Sequence, residues 1–479
     1  MSSVQRLVKN TISILIARGL QPILSLVLVL FIGRILGPEL FGKYTIVFQL
    51  FFIFQITSSF GLRILLTREV AANKQDVSKY LSNGIFLSLP TAIINVLAMV
   101  ILGKLMHYDA ETTLGIYIIS ISLATSALTD IFSGVLAGVE EINKIAYGWM
   151  IFLVVKTVAS IAVLFMGFGL IALIVIHVIA KFIHAAVTYY FIIKGVTLPE
   201  MRIDIELCKK LLRMAWSLAL LIICISLYWR IDTLMLSKMS TNEVVSNYGA
   251  AFKIFWFAIL SVQSFFTAFF PMISSMYATN PANFRMACNK AIRFLTIFIF
   301  PILVLTTFLS PQLMPLIWGI KFQSSALILQ IMIWALWPFA ITEVFGSALV
   351  ASKNQVIQLL SYVFILIVKV VLNYYLIQKY DANGAAAATV VSMFILMAVQ
   401  VPFVVPKLIK FRVMTVISPL VKLIIASAII AAGLYYFNSI HIVFKILIPT
   451  IVYLLMLLTL KVFSENDKLY FRKLLKKKA

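Results

Sequence analysis

A small set of ionisable side chains stands inside stretches that are otherwise apolar, and these residues are the ones able to do chemistry. They are Arg18, Asp130, Lys156, His177, Lys181, His184, Arg230, Asp232, Glu343 and Lys369, with Arg63 and Lys253 within a turn or two of an expected helix end. A charged group in the hydrocarbon region costs about 2.5–3.5 kcal/mol on insertion scales, so it faces a partner or a water-filled cavity. Arg63 and Lys253 are close enough to the ends to snorkel to the interface. His177 and Lys181 are four residues apart and His184 three beyond, which places all three on one helical face. Arg230 and Asp232 are two apart; their side chains diverge by about 200° and take different partners.

Among the mid-helix groups, the cations Arg18, Lys156, Lys181, Arg230 and Lys369 outnumber the acids Asp130, Asp232 and Glu343. That surplus favours an anionic ligand. Arg offers a bidentate fork to phosphate and Lys a compact point charge, so a cavity lined by both would hold a pyrophosphate while excluding less charged solutes. The expected anion set is Arg18, Arg63, Lys156, Lys181, Arg230, Lys253 and Lys369. Asp130, Asp232 and Glu343 either carry a coupling proton or Na+ or pair locally with these cations. Neither a metal site nor a disulfide framework is indicated by Cys208, Cys224 and Cys288, which lack C-x-x-C spacing. No phosphate-binding loop, nucleophile elbow, H-E-x-x-H or dinucleotide turn appears, so no cofactor is expected and the chain reads as a non-enzyme.

The elements that position these groups follow from the composition. Of 479 residues, 62% are hydrophobic and 12% charged, with a mean hydropathy of +1.06. Such a chain dissolved in water would expose a largely apolar surface. A membrane-spanning helix needs about 20 apolar residues, and windows of that length recur at 10–32, 44–66, 81–106, 112–136, 147–168, 170–193, 214–237, 248–270, 290–309, 324–350, 355–378, 384–406, 416–437 and 441–461. The expected fold is an all-α polytopic membrane protein of about 14 transmembrane helices. The first window is too long for a signal-peptide core and is kept as a spanning helix. Pro22, Pro90, Pro271, Pro301, Pro338 and Pro402 lie in or beside these windows, where proline permits bending.

The net charge of +23 does not point to nucleic acid, because most Lys and Arg lie in the short connections. One side of the membrane receives only Arg34, Lys43, Lys104, Lys238, Lys321 and Lys379. Cytoplasmic loops retain Lys and Arg, so both termini are expected in the cytoplasm. The basic tail ending Lys476-Lys477-Lys478 reads as an anchor facing lipid headgroups.

The chain also repeats itself. Arg34-Ile-Leu-Gly-Pro-Glu39-Leu-Phe-Gly-Lys-Tyr44 aligns with Lys238-Met-Ser-Thr-Asn-Glu243-Val-Val-Ser-Asn-Tyr248 at an offset of 204. Farther on, Thr129-Asp130-Ile131-Phe132 aligns with Thr342-Glu343-Val344-Phe345, and Lys156 with Lys369, at an offset of 213. An even number of helices per copy makes the repeat parallel. The expected organisation is an N-terminal six-helix lobe (1–194), a cytoplasmic linker (195–213), a C-terminal six-helix lobe (214–410), and two extra helices with a basic tail (411–479). The two lobes are expected to be pseudo-symmetric, being copies of one unit.

Four segments carry a family resemblance: Gly33-Arg34-Ile-Leu-Gly37-Pro38-Glu39-Leu-Phe41-Gly42-Lys-Tyr44, Thr67-Arg68-Glu69-Val-Ala71, Gly134-Val-Leu-Ala-Gly138-Val-Glu140 and Trp229-Arg230-Ile-Asp232-Thr-Leu-Met-Leu236. Together they resemble the polysaccharide repeat-unit (O-antigen, Wzx-type) flippases of the multidrug/oligosaccharidyl-lipid/polysaccharide exporter superfamily. The resemblance implies that the two lobes surround a central cavity. It implies movement of an undecaprenyl-pyrophosphate-linked oligosaccharide from the cytoplasmic to the outer leaflet by alternating access, coupled to a proton or sodium gradient. It further implies a monomer in the inner (cytoplasmic) membrane, surrounded by membrane lipids and working with the polysaccharide polymerase and other assembly proteins. A lipid II flippase of the same superfamily would share fold and cationic cavity. A cation-coupled multidrug exporter would more often carry an acidic, aromatic-lined cavity, against which the interior cations argue.

Overall fold

The computed structural model describes the backbone of residues 3–200, 203–410, 422–423 and 442–459, with side chains described from Leu24 onward except at isolated positions. Among the described residues every regular element is helical. Where water is absent a backbone polar group must be satisfied within its own segment, and a long apolar stretch achieves this only as a helix. Ser and Thr add their hydroxyls to the ladder rather than leaving them bare: Thr45 donates to the Phe41 carbonyl at 2.8 Å, Thr129 to Thr125 at 2.7 Å and Thr188 to His184 at 2.7 Å.

Among the described residues ten stretches are long and apolar enough to cross a membrane, and they match the second to twelfth expected windows and, from Leu24 onward, the first. Two of them each absorb two windows. In the first, α1 (Ser3–Ser59) runs across the expected Arg34–Tyr44 turn with a single interruption at Gly37, whose φ of 76° and ψ of 178° suit glycine alone. In the other, α13 (Gln355–Val404) is interrupted at Asp381, with φ 48° and ψ −129°. Breaks also fall where hydropathy showed none. Phe60 and Gly61 take positive φ and separate α1 from α2 (Leu62–Ala72); Ile121 separates α4 (Ala110–Ser120) from α5 (Ser122–Gly138). Of the two windows expected beyond the repeat, 416–437 lies outside the described residues apart from 422–423, and the last appears as α14 (Ile442–Thr459). The basic tail also lies outside the described residues.

Contacts group the chain into two compact units. The first comprises residues 1–249 and 373–382. Besides the helices above it contains α3 (Val77–Leu105), α6 (Ile142–Phe165), α7 (Leu170–Gly195), α8 (Ile205–Met239) and the start of α9 (Asn242–Thr279). Within it α1 packs on α6 and α8, α2 on α5, and α7 on α5 and α6. Leu62, Leu65, Leu66, Val70, Leu81, Ile131, Val135 and Leu211 form a buried cluster joining α2, α3, α5 and α8.

The second unit comprises residues 250–372 and 383–479. It holds the rest of α9, α10 (Pro281–Trp318), α11 (Ser325–Met332), α12 (Leu336–Ala351), the outer parts of α13, and α14. Here α10 packs against α11 and α12, and Tyr453 of α14 donates to the Ile297 carbonyl at 2.9 Å. Trp337 donates to Thr296 Oγ1 at 3.1 Å. Ala385, Ala386 and Ala388 are fully buried, consistent with small side chains admitting a close neighbour.

Candidate functional site

The first unit brings together four of the ionisable groups singled out above. Arg63 is the second residue of α2, directly after the left-handed Gly61 that ends the preceding helix. Facing it, α5 approaches closely because Gly134 has no side chain: a Cβ there would stand 2.8 Å from the Arg63 carbonyl oxygen. One turn before Gly134 is Asp130, and its carboxylate lies 3.7 Å from the Arg63 guanidinium. Asp130 is thus paired with Arg63, whose side chain is 51% exposed.

The α7 stripe completes the group. His177, Lys181 and His184 are 2%, 4% and 4% exposed, so the shared face predicted from their spacing is the buried face. Lys181 Nζ lies 5.0 Å from the centroid of the Phe152 ring and 5.8 Å from those of Phe51 and Trp149. Three ring faces around one ammonium replace part of its lost hydration. Phe152 is shared: Lys156 Nζ lies 6.0 Å from it and 5.0 Å from Phe48. His177 meets Phe48 edge-on at 4.9 Å.

Arg63, Asp130, Lys181 and His184 line one cavity of about 360 Å³, together with Gln55, Ser126, Ser133 and Trp149. Ser126 Oγ, Trp149 Nε1 and His184 Nδ1 are buried there and form no hydrogen bond among the described residues. A buried polar atom without a partner carries a desolvation cost of about 1–3 kcal/mol, which a polar ligand would relieve. With two cations and one carboxylate, the lining retains a positive surplus that suits an oxyanion.

Arg230 belongs to another arrangement in the same unit. Its guanidinium donates to Gln49 Oε1 at 2.9 Å and to Ser226 Oγ at 3.2 Å, and stacks 4.9 Å from the Phe52 centroid. Asp232, 1% exposed, instead accepts from the Tyr248 hydroxyl and from Asn373 Nδ2, both at 2.7 Å. The separate partners expected from their two-residue spacing are therefore found, Tyr248 and Asn373 being among those of Asp232. Lys253, Glu343 and Lys369 lie in the second unit: Lys369 is fully buried, while Lys253 and Glu343 are partly so. Glu343, the repeat mate of Asp130, has no salt bridge among the described residues. The side chain of Arg18 lies outside the described residues.

Sequence reasoning passed over Gln49, Gln55, Trp149, Tyr248 and Asn373. Amides within apolar windows were an available signal, since a buried amide needs partners. Nothing local, however, identifies Gln49 as the acceptor for an arginine 181 positions away.

Charge pairs outside the apolar stretches complete the first unit. Lys43 lies 2.9 Å from both Asp109 and Glu111. Burial acts against the Asp109 carboxylate, but the Thr112 hydroxyl and Lys43 outweigh it and hold its pKa below the ordinary value. Lys79 bridges Asp204 at 2.7 Å, and that hydrogen bond lowers the Asp204 pKa, helped by the Leu207 N–H at the start of α8.

Comparison with known proteins places these features. No curated protein sequence matches the chain significantly. A family profile described as polysaccharide biosynthesis protein matches residues 7–277, and one described as lipid II flippase MurJ matches residues 231–454. Among solved structures, an inward closed lipid II flippase MurJ superposes with a TM-score of 0.77 at 17% identity, covering 97% of this chain and 99% of that one. An inward-facing multidrug resistance MATE family transporter superposes at 0.68 and 15% identity, covering 81% of this chain and 96% of that one. A transporter from Pyrococcus furiosus, described as having a binding pocket of reversed polarity, gives 0.61 at 15%, with 83% and 94% covered. These likenesses establish the fold, and the profile spanning more than half of the chain establishes the family. The chain is a multi-pass membrane protein of the polysaccharide biosynthesis protein family.

Proposed function

We propose that this protein flips a polyprenyl-pyrophosphate-linked oligosaccharide from the cytoplasmic to the outer leaflet of the cytoplasmic membrane, with both termini in the cytoplasm. The observation that carries the reading is the cavity of the first unit, lined by Arg63 and Lys181 beside buried polar atoms with no partner among the described residues. Pyrophosphate is the part of such a substrate that hydrocarbon rejects most strongly, and fixed cations replace its hydration. The sugar chain needs no comparably charged surroundings. The match to a polysaccharide biosynthesis family supplies the oligosaccharide part of the reading. In the first unit Arg63 and Lys181 would bind the headgroup, Lys156 and Arg230 are further candidates for handling it, and in the second unit Lys253 and Lys369 are the candidates, with alternating access moving it across. Asp130 and Glu343 are the candidates for coupling to a proton or sodium gradient.

A second reading, lipid II flipping, has its own support in the MurJ profile over residues 231–454 and the near-complete overlap with a MurJ structure. Both substrates carry a pyrophosphate between lipid and sugar, so the cationic cavity serves either. Multidrug export is disfavoured, because a positive pocket repels cationic drugs. Genetic complementation separates the three: expression in strains lacking a repeat-unit flippase, a lipid II flippase or a drug exporter. Restored surface polysaccharide supports the proposal. Rescue of only the lipid II or only the drug-export strain overturns it.

A further inference from the structure

The first turns of α8 precede the apolar stretch that begins at Ala219. At about 100° per residue, Ile205, Lys209, Arg213, Trp216 and Leu220 fall in one sector about 80° wide. Cys208, Leu211 and Ala215 fall on the opposite side, where they join the buried cluster with α2 and α3. The sector itself faces outward, with Ile205 64% and Trp216 53% exposed. Lys210 and Glu206 at its margins are exposed as well.

Neighbouring contacts set the depth of this stripe. Asn83 Oδ1 accepts from the Asp204 backbone N–H at 2.8 Å and lies 3.2 Å from the Cys208 thiol, so α8 starts level with the opening turns of α3. Gly61, at the break between α1 and α2, packs against Ala215 and Ala219. The stripe therefore runs along the boundary where membrane-crossing stretches begin.

Several cations at this end of the unit have acidic partners, Lys74 with Glu140, Lys79 with Asp204, Arg68 with Glu69 and Lys144 with Glu141, while Lys194 bonds the Tyr190 hydroxyl. Lys209, Lys210 and Arg213 make no ion pair or hydrogen bond among the described residues. Glu206 offsets one of the three charges, and two remain. Cations interleaved with Ile205 and Trp216, continuing into Leu220, match a phosphate headgroup above an acyl chain. We propose that this face of α8 binds an anionic phospholipid, its phosphate held by Lys209, Lys210 and Arg213 and its chain lying along Trp216 and Leu220. The assignment is independent of which substrate the protein transports.

The test uses the purified full chain, native mass spectrometry, and phosphatidylglycerol against phosphatidylcholine with identical acyl chains. The wild type is expected to retain phosphatidylglycerol preferentially. Lys209→Gln/Lys210→Gln/Arg213→Gln is expected to weaken that retention by roughly a hundredfold, whereas Lys209→Arg/Lys210→Arg preserves it. If the triple variant does not fold, Arg213→Gln alone carries the test, with a loss of about fivefold expected. Equal retention of the two lipids by the wild type, or undiminished phosphatidylglycerol retention by a folded Gln variant, overturns the proposal.

Discussion

Asn373 Nδ2 donates to Asp232 Oδ1 at 2.7 Å across 141 residues of sequence, and the Tyr248 hydroxyl donates to the other carboxylate oxygen at the same distance. This buried carboxylate ties together two segments far apart in the sequence. Asp232→Ala strands both donors and is expected to cost about 2–5 kcal/mol of stability, with Tyr248→Phe costing about 1–3 kcal/mol. Thermal unfolding in detergent measures both. Asp232→Asn is expected to leave the ion dependence of transport unchanged, and a shifted dependence would return Asp232 to the coupling acids.

For the pocket, Lys181→Ala and Arg63→Ala are each expected to lower export of lipid-linked repeat units at least tenfold while the protein still inserts, because each removes a cation facing the proposed pyrophosphate. Arg230→Ala/Lys369→Ala is expected to abolish export. Normal export by that well-expressed double variant would remove both residues from the substrate-handling set.

Asp109 gives a pH dependence of defined sign. Its pKa in the folded protein lies below the ordinary Asp value of about 3.9. The contribution is therefore fully present above that value and is lost as pH falls through the lower folded pKa. Asp109→Asn is expected to lower the unfolding temperature slightly at pH 7, by an amount that shrinks as pH falls below the ordinary Asp value. A difference that does not shrink would assign the effect to the helix cap rather than to charge.

Gly42 carries a packing prediction. A Cβ at this position would fall on the backbone carbonyl of Asn242, while Gly249 faces Thr45, its own repeat mate at the offset of 204. Gly42→Ala must push α1 away from the start of α9, and core overpacking of this kind costs about 1–3 kcal/mol or more. Thermal unfolding reads that loss, and a wild-type melting temperature would show that α9 can move at no cost.

The membrane-crossing stretches, the Arg34–Tyr44 interruption and the buried α7 stripe were legible because hydropathy and helical spacing are local properties. The break at Phe60 and Gly61 was not, since an average over about 20 residues smooths a change in φ confined to two positions. Asp130 and Lys181 were legible as expensive charges, whereas Arg63 as the facing cation depends on Gly134 letting two helices approach. Partners such as Gln49 for Arg230 are set by the packing of distant segments. Spacing can say that Arg230 and Asp232 diverge, but not toward what.

The duplicated acids permit one further prediction. Asp130 stands 3.7 Å from Arg63, whereas its mate Glu343 has no salt bridge among the described residues. If one site couples transport to an ion, the two neutralising substitutions will differ. Asp130→Asn releases Arg63 and is expected to alter substrate export as well as its pH or Na+ dependence. Glu343→Gln leaves no cation unpaired, so it is expected to alter the ion dependence alone. Transport measured in vesicles against imposed proton and sodium gradients separates these outcomes. An unchanged dependence in both variants would leave the two acids as structural partners and place the coupling site elsewhere.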